Sequence, residues 1–146
     1  MTDVISYRGP DGSGYEIFSL EEATIGLGHR RLSIIDLNVT GKQPMFHGEW
    51  CIVFNGEIYN YKTIKNELES KGRKFTSTSD TEVILQGFDE WGINVVEKFI
   101  GMFAFVIYNK RLKKLYMFRD RAGVKPFYYY VSSGLFLFAS ELKSFS

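Results

Sequence analysis

The chain has 146 residues, of which 45% are apolar and 16% aromatic, and this composition predicts one well-packed domain rather than a disordered chain. Eighteen basic and seventeen acidic residues leave a net charge of +1 without any block of like charge, which excludes the basic surface of a nucleic-acid-binding protein. The single cysteine, Cys51, excludes an internal disulfide and a cysteine-based metal site.

The sequence also predicts no association with a membrane. Its longest apolar region, residues 99–108, is about half as long as a helix that crosses a bilayer. Nothing at the N-terminus resembles a signal peptide, so the expected location is the cytoplasm.

The predicted elements are strands with helices inserted among them, in a single domain that covers residues 1–146. In chain order they are strands at 24–27 and 50–54, helices at 61–71, 79–92 and 94–99, and strands at 102–108, 115–119, 127–131 and 135–139. Turn residues at 109–112 and 132–134 join two pairs of these strands into hairpins. The pattern indicates an α+β protein with mostly antiparallel strands.

Two of the predicted helices begin with capping signals. Asn60 is the expected N-cap of the first, and Ser79 with Glu82 has the spacing of a capping box at the start of the second. Asp80 lies in the first turn of that second helix, where the helix dipole favours a carboxylate in any protein. Taken alone, Asp80 is therefore interpreted as a capping residue.

An Asn–Gly pair directly follows the apolar strand at 50–54. Such a pair is a strong hairpin signal, yet the next predicted element is a helix and not a returning strand. The side-chain amide of Asn55 and the backbone N–H of Gly56 are two donors that could hold a developing oxyanion. On these two residues alone, the sequence favours an ordinary strand-to-helix turn.

Other polar or reactive residues lie in apolar segments. The segment GHRRLSIID contains Arg30 and Arg31. An arginine that faced a pocket here could hold a carboxylate through two parallel hydrogen bonds. The interpretation favoured for both residues is that they face outward and only increase solubility. His29 is interpreted as a structural hydrogen-bond donor. Cys51 lies in the middle of its strand and is predicted to be a small buried hydrophobic residue rather than a reactive thiol.

Eight motifs occur in order along the whole chain and change these interpretations. They are RGPDGSG (8–14), GHRRLSIID (28–36), QPM (43–45), NGEIYN (55–60), SDTEV (79–83), GMFAF (101–105), RDRAGVKPFYY (119–129) and ASELK (139–143). Together they resemble the glutaminase domain of asparagine-synthetase-type enzymes, which is a class II glutamine amidotransferase and an N-terminal nucleophile hydrolase. RLSIID favours this branch over the amidotransferases that make glucosamine 6-phosphate or phosphoribosylamine.

The resemblance implies a four-layer αββα sandwich of two mostly antiparallel sheets. It also implies that Asn55 and the N–H of Gly56 form the oxyanion hole for attack on the side-chain amide of glutamine. Glu57 and Asp80 are then expected to hold the α-ammonium group of this substrate. A side chain with a fixed positive charge is expected to bind the other charged group of the amino acid, its α-carboxylate.

The remaining contacts with glutamine are implied for the RLSIID segment. Arg31 is expected to hold the α-carboxylate of the substrate. The backbone around Leu32, Ile34 and Ile35 is expected to line the pocket.

The chain departs from the family at the nucleophile, which in the family is a cysteine at the mature N-terminus with its own α-amino group as general base. Cys51 cannot replace it, because it is in the middle of a strand and has no free amino group. Thr2 would become N-terminal after removal of Met1, but the order of motifs puts it in the wrong element. We expect residues 1–7 to be the tail of a helix, the first strand to be missing, and the incomplete domain to be inactive as given.

The resemblance further implies partners that this domain lacks. In the complete family enzyme, ammonia from glutamine passes to a C-terminal synthetase domain, absent here, that activates aspartate with ATP and Mg²⁺; the glutaminase domain itself needs no cofactor and no metal. The isolated chain is expected to form oligomers or aggregates, since a missing strand uncovers strand edges. Two alternatives stay open: a non-catalytic module that binds an amino acid or a partner, and a glutaminase domain that serves a sugar or ring-closing synthetase.

Overall fold

The computed structural model describes residues 1–9, 12–31 and 41–146, without the side chains of Arg8 and Arg31. The strands in these ranges are β1 (Gly12–Ser19), β2 (Thr24–Arg31), β3 (Met45–His47), β4 (Trp50–Ile58), β5 (Gly101–Asn109), β6 (Lys114–Arg119), β7 (Tyr128–Ser132) and β8 (Leu135–Ala139). The α-helices are α1 (Tyr61–Ser70) and α2 (Asp80–Trp91), and 3-10 helices cover Asp3–Arg8, Gly92–Lys98 and Leu142–Phe145.

A four-stranded antiparallel sheet in the order β3-β4-β5-β6 forms the centre of the domain. β4 and β5 pair over their whole length, from Trp50 opposite Asn109 to Ile58 opposite Gly101. The apolar runs of both strands are buried without a break over residues 51–54 and 103–108. Continuous burial of this kind requires that both faces of the sheet be covered.

The two α-helices cover one face of the central sheet. α1 contributes Ile64 and Leu68, four residues apart on one side of the helix. From α2, the ring of Phe88 meets the ring of Trp50 at 5.5 Å and that of Phe105 at 5.9 Å, both edge to face. This aromatic packing accounts for much of the high phenylalanine content of the chain.

Two hairpins, β1–β2 and β7–β8, cover the opposite face of the sheet. Their side chains, Leu27 and Phe138 among them, pack on the alternate residues of β4 and β5, such as Val53 and Val106. The strand period of two thus sends one set of apolar side chains to the helices and the other set to the hairpins.

The order of layers is helices, central sheet, hairpins and then short 3-10 helices at the two ends of the chain. The terminal 3-10 helices Asp3–Arg8 and Leu142–Phe145 contact each other, and each contacts one hairpin. The predicted α+β fold of antiparallel sheets is confirmed, and within the described ranges the second sheet consists of two separate two-stranded hairpins. None of the described helices has the length and apolar character needed to span a membrane.

The structure corrects several predicted boundaries. β4 does not end at Phe54 but continues through Asn55 and Gly56 to Ile58, so the Asn–Gly pair is not a turn. The predicted helical tail at 1–7 is a 3-10 helix with a non-helical residue, Ile5, inside it. The predicted helix at 94–99 is also 3-10. β1 and β3 were not predicted at all.

At the start of α2, the predicted capping role is confirmed for Ser79 but not for Glu82. Ser79 is the N-cap and its hydroxyl accepts a hydrogen bond from Thr81 N–H at 3.2 Å, as expected. Glu82 instead accepts from the N–H groups of Thr76 and Ser77, at 2.9 and 2.7 Å, and from their hydroxyls. Burial alone would raise the pKa of Glu82, but these hydrogen bonds outweigh it and the pKa is lowered. Glu82 therefore fixes the loop that leads into the helix.

Replacement of Glu82 by Gln tests this role. Glu82→Gln should lower the free energy of unfolding by about 1.5–3 kcal/mol near neutral pH, because hydrogen bonds to a buried carboxylate are lost. Since the folded pKa is depressed, the contribution of Glu82 is present above its unfolded pKa and disappears as pH falls through the folded value. Urea titrations at several pH values should show the two proteins converging in acid, whereas a difference independent of pH would contradict the assignment.

Candidate active site

A cavity of about 1120 Å³ lies between the central sheet and the two hairpins. Its walls include strands β2 and β8, and its floor includes Val53 and Val106 from the central pair of strands. The end of β4 and the start of α2 meet at one side of it, where polar side chains are concentrated. Those polar residues are Asn55, Glu57, Ser79, Asp80 and Thr81.

Asn55 and Glu57 share one face of β4, the face that Val53 also uses to contact the hairpins. Both side chains are half-buried and line the cavity. Within the described part of the chain, neither the amide of Asn55 nor the carboxylate of Glu57 makes a hydrogen bond. Two polar groups are thus presented to the cavity with hydrogen-bonding capacity that the described residues do not use.

The backbone conformation at position 56 requires a glycine. Gly56 has φ +152°, a conformation that L-residues rarely adopt, and a Cβ at this position would lie 2.2 Å from the carbonyl oxygen of Met102. The Gly56 N–H points away from β5. Successive amides of a strand face opposite edges, and the N–H of Tyr59, three residues further on, donates to the Ile100 carbonyl next to β5. Among the described residues, no hydrogen bond is formed by the Gly56 N–H on this outer edge.

Asp80 joins the start of α2 to the end of β4. Its Oδ2 accepts a hydrogen bond from Ile58 N–H at 3.0 Å. Burial raises the pKa of Asp80 above its usual range, the hydrogen bonds from Ile58 and Thr81 oppose that shift, and the nearby charge of Glu57 adds to it. Two carboxylates therefore face one cavity at short range, and an ammonium group is the natural ligand for such a pair.

The predicted residues are only partly assembled by the described structure. Asn55, Gly56, Glu57 and Asp80, which lie up to 25 positions apart in the sequence, meet at one end of the cavity. The backbone of Arg31 ends β2 opposite Gly12, and its side chain is outside the described part. Leu32, Ile34 and Ile35 also lie outside the described residues, so their predicted roles stay predictions.

Lys125 and Gln43 are cavity residues for which the sequence predicted no role. Lys125, from the RDRAGVKP motif, lines the cavity, and Asp120 holds its loop by accepting hydrogen bonds from Val124 N–H and Lys125 N–H at 2.9 and 3.0 Å. Gln43, from the QPM motif, is buried beside the cavity. Both residues belong to motifs that carry the resemblance, but the local sequence around them indicates no role in the site.

Cys51 and Thr2 are the two nucleophile candidates considered from the sequence. Cys51 is fully buried in β4, and burial, with a smaller contribution from Glu16, raises the pKa of its thiol to about 12. A thiol in this state is not a nucleophile at neutral pH. Thr2 does line the cavity, where its methyl group lies against Gly28 and its carbonyl oxygen accepts a hydrogen bond from Arg30 Nε at 3.1 Å.

Alkylation of Cys51 provides a direct test. The difference between the unperturbed pKa of 9.0 and about 12 corresponds to roughly a thousandfold smaller thiolate population near neutral pH. Iodoacetamide should therefore label the native chain at least about a hundredfold more slowly than the same chain unfolded in urea. Labelling of the native chain at the rate of the unfolded one would show that Cys51 is accessible and ionisable.

Comparison with known proteins places this site in a family. A sequence model described as the glutamine amidotransferase domain matches residues 1–146. Asparagine synthetase [glutamine-hydrolyzing] 2 of Bacillus subtilis is 44% identical over 146 residues, which cover 99% of this chain and 19% of that protein. Amidase chyE of Penicillium rubens is 39% identical over 145 residues, which cover 98% of this chain and 21% of the amidase.

A solved structure supports the fold. Glutamine phosphoribosylpyrophosphate amidotransferase from B. subtilis, complexed with ADP and GMP, superimposes with a TM-score of 0.80 at 20% identity, over 99% of this chain and 38% of that one. The chain spans about a fifth of the length of the two curated relatives named above.

Proposed function

The chain belongs to the glutamine amidotransferase family, and from this membership we propose that it is the glutamine-hydrolysing domain of an asparagine-synthetase-like enzyme. The observation that carries the proposal is the group of unused donors and acceptors at the end of β4. Two free donors and two carboxylates lie on one cavity, as hydrolysis of the side-chain amide of an amino acid requires.

The two donors are proposed to act on the reacting carbonyl group. When a thiolate attacks Cδ of glutamine, the carbonyl oxygen becomes an oxyanion, which the side-chain N–H of Asn55 and the backbone N–H of Gly56 would stabilise. Ammonia leaves with a proton from the general base, and water then cleaves the thioester to release glutamate and the thiol. Because both donors are fixed by a paired strand, little reorganisation is needed as charge develops.

The charged end of glutamine is proposed to bind through ion pairs. Glu57 and Asp80 would hold the α-ammonium group, which supplies the positive charge that these two carboxylates lack. Arg31 would hold the α-carboxylate, and the backbone of Leu32, Ile34 and Ile35 would complete the pocket. The support for Arg31 and its neighbours is the resemblance of the RLSIID segment.

The whole protein is proposed to make asparagine. Ammonia from glutamine would pass to a C-terminal synthetase domain, in which ATP and Mg²⁺ would activate aspartate, and the expected location of the enzyme is the cytoplasm. Relatives named as asparagine synthetases support this acceptor. Apolar residues on the β7–β8 hairpin, such as Tyr129, Val131 and Leu135, are exposed and would be available to contact that domain.

One observation favours a second candidate function. Cys51 is buried and the pKa of its thiol is raised, so it does not act as the nucleophile. A non-catalytic module that binds an amino acid would keep Glu57 and Asp80 and need no nucleophile. The two functions differ in whether the chain can be made to hydrolyse glutamine.

Addition of a nucleophile distinguishes these functions. The chain as given should release no glutamate from glutamine, because its cavity lacks a thiolate. A family-type N-terminal segment with a leading cysteine, joined before Met1, should produce glutaminase activity that a leading serine abolishes. The measurement is glutamate and ammonia production by each protein.

Two outcomes would contradict the proposal. Equal activity with and without the added segment would show that another residue is the nucleophile, and Thr2→Val in the chain as given would identify Thr2 if it removed that activity. Binding of glutamine without hydrolysis in the cysteine-bearing protein would favour the non-catalytic module.

Substitutions of Arg31 and Asn55 in the cysteine-bearing protein should have different effects. Arg31→Ala loses a charge-assisted contact worth about 1.5–3 kcal/mol, so KM for glutamine should rise by roughly 10- to 150-fold. Asn55→Ala loses an oxyanion donor and should lower kcat by about 10² to 10³. Steady-state kinetics over a range of glutamine concentrations separates the two.

Neighbouring residues of the same types provide the controls. Arg30 donates to Thr2 and forms an ion pair with Asp3, and Asn60 joins Lys98 and Ile100 through its side-chain amide. Arg30→Ala and Asn60→Ala should change stability more than kinetics. If they reproduced the kinetic effects of Arg31→Ala and Asn55→Ala, the proposed contacts with glutamine would be wrong.

A further inference from the structure

Gln43 is a buried polar residue that bridges two parts of the candidate site. Its side chain is 8% exposed. Oε1 accepts a hydrogen bond from Phe54 N–H at 2.6 Å, and Nε2 donates to Thr81 Oγ1 at 3.4 Å. Phe54 directly precedes Asn55 on β4, and Thr81 directly follows Asp80 on α2. A single amide thus connects the strand that carries the proposed oxyanion donors to the helix that carries the proposed ammonium ligand.

The position of Gln43 has a consequence for the outer edge of β4. β3 pairs with β4 opposite residues 50–52, and no other described strand pairs with this edge beyond them. The next outward amides belong to Phe54, Gly56 and Ile58. Gln43 occupies the first of these and Asp80 the third, and the Gly56 N–H between them is the donor that the described residues leave unused.

The backbone of Gln43 is held from a third side. A Cβ on Gly14 of β1 would lie 2.1 Å from the carbonyl oxygen of Gln43 and 3.2 Å from Pro44 Cδ, so β1 rests directly against this residue. Gln43 therefore contacts β1 through its backbone and β4 and α2 through its side chain. All three elements border the cavity.

We propose that Gln43 is a positioning residue that fixes the Gly56 N–H and the Asn55 amide relative to Asp80. The proposal rests on the glutaminase function proposed above. Hydrogen bonds on both sides of Gly56 keep the edge of the strand in one position, and the loss of either would let the central donor move. Because Gln43 reaches the strand and not the substrate, its removal should affect the transition state more than the binding of glutamine.

The test is Gln43→Met in the cysteine-bearing protein, a change that keeps the volume and removes both hydrogen bonds. We expect kcat for glutamine hydrolysis to fall about 10- to 100-fold, since small displacements of a catalytic donor have effects of this size. KM should change by less than about threefold. The Phe54 amide should also exchange with deuterium faster than in the parent.

Gln86→Met is the matched control. Gln86 is a second buried glutamine, 1% exposed, whose Nε2 donates to the Lys74 carbonyl at 2.6 Å and to Glu82 Oε1 at 3.2 Å, and it does not line the cavity. The two Gln→Met variants should lose similar stability, since each loses a buried hydrogen bond to the backbone. Gln86→Met should keep kcat within about twofold of the parent, because neither hydrogen-bond partner of Gln86, Lys74 or Glu82, lines the cavity.

Thr81→Val is a milder second variant, in case Gln43→Met does not fold. It removes only the acceptor of Gln43 Nε2, and we expect kcat to fall about 2- to 10-fold with KM unchanged. Equal losses of kcat in Gln43→Met and Gln86→Met would overturn the proposal, as would an effect on KM alone. If Gln43→Met does not fold, unchanged kinetics in Thr81→Val would overturn it. A parent without glutaminase activity would overturn the proposed function and this inference together, and that result precedes any variant.

Discussion

The pairing of β4 with β5 is the interaction on which the rest of the domain depends. Nine residues of each strand are matched, and their apolar runs are buried from both faces. The helices can bury their apolar sides only against one face of this pair, and the hairpins only against the other. At about 1.5–3 kcal/mol for each large side chain removed from water, this double-sided core is the dominant favourable contribution to folding.

The same strand pair explains why polar groups can be placed so firmly at the site. β4 and β5 stay paired beyond the point at which β3 ends, so in the described ranges the last part of β4 is paired with another strand on one edge only. Open edges are usually a liability, because their amides need partners. Here the side chains of Gln43 and Asp80 supply two of these partners, and Gly56 between them retains a directed N–H. The Gly56 N–H is thus a fixed donor, because side chains occupy the edge of β4 on both sides of it.

Residues that pack by local periodicity could be predicted from the sequence, while those joined by long-range contacts could not. The apolar runs of β4 and β5 predicted the two central strands, because burial follows the period of each structure. The capping residue Ser79 predicted the start of α2. The Asn55–Gly56 pair was misread as a turn, because pairing with β5 overrides local turn propensity. β3 has only three residues, too few for a pattern.

The site itself was predicted by a resemblance of motifs, and its geometry explains what that resemblance could not supply. Gln43 lies 11 residues from Phe54 and 38 from Thr81, separations that no local pattern encodes. Glu82 matched a capping box by spacing, yet it binds Thr76 and Ser77 because their donors are closer in the folded loop. Sequence spacing identifies which groups are available, and tertiary packing decides which of them meet.

The charges of Glu57 and Asp80 determine which ligand this end of the cavity favours. Burial and the charge of Glu57 both raise the pKa of Asp80, so the ionised pair is disfavoured without a cation. A raised carboxyl pKa means that ionisation of Asp80 lowers stability as pH rises through the interval between the unfolded and folded values. An ammonium group placed between the two carboxylates would reverse that preference, because it favours the ionised form. If the α-ammonium group of glutamine binds there as proposed, its binding would be coupled to loss of a proton from Asp80. Titration of glutamine binding at several pH values should then show an affinity that increases with pH until this carboxyl is fully ionised in the free protein.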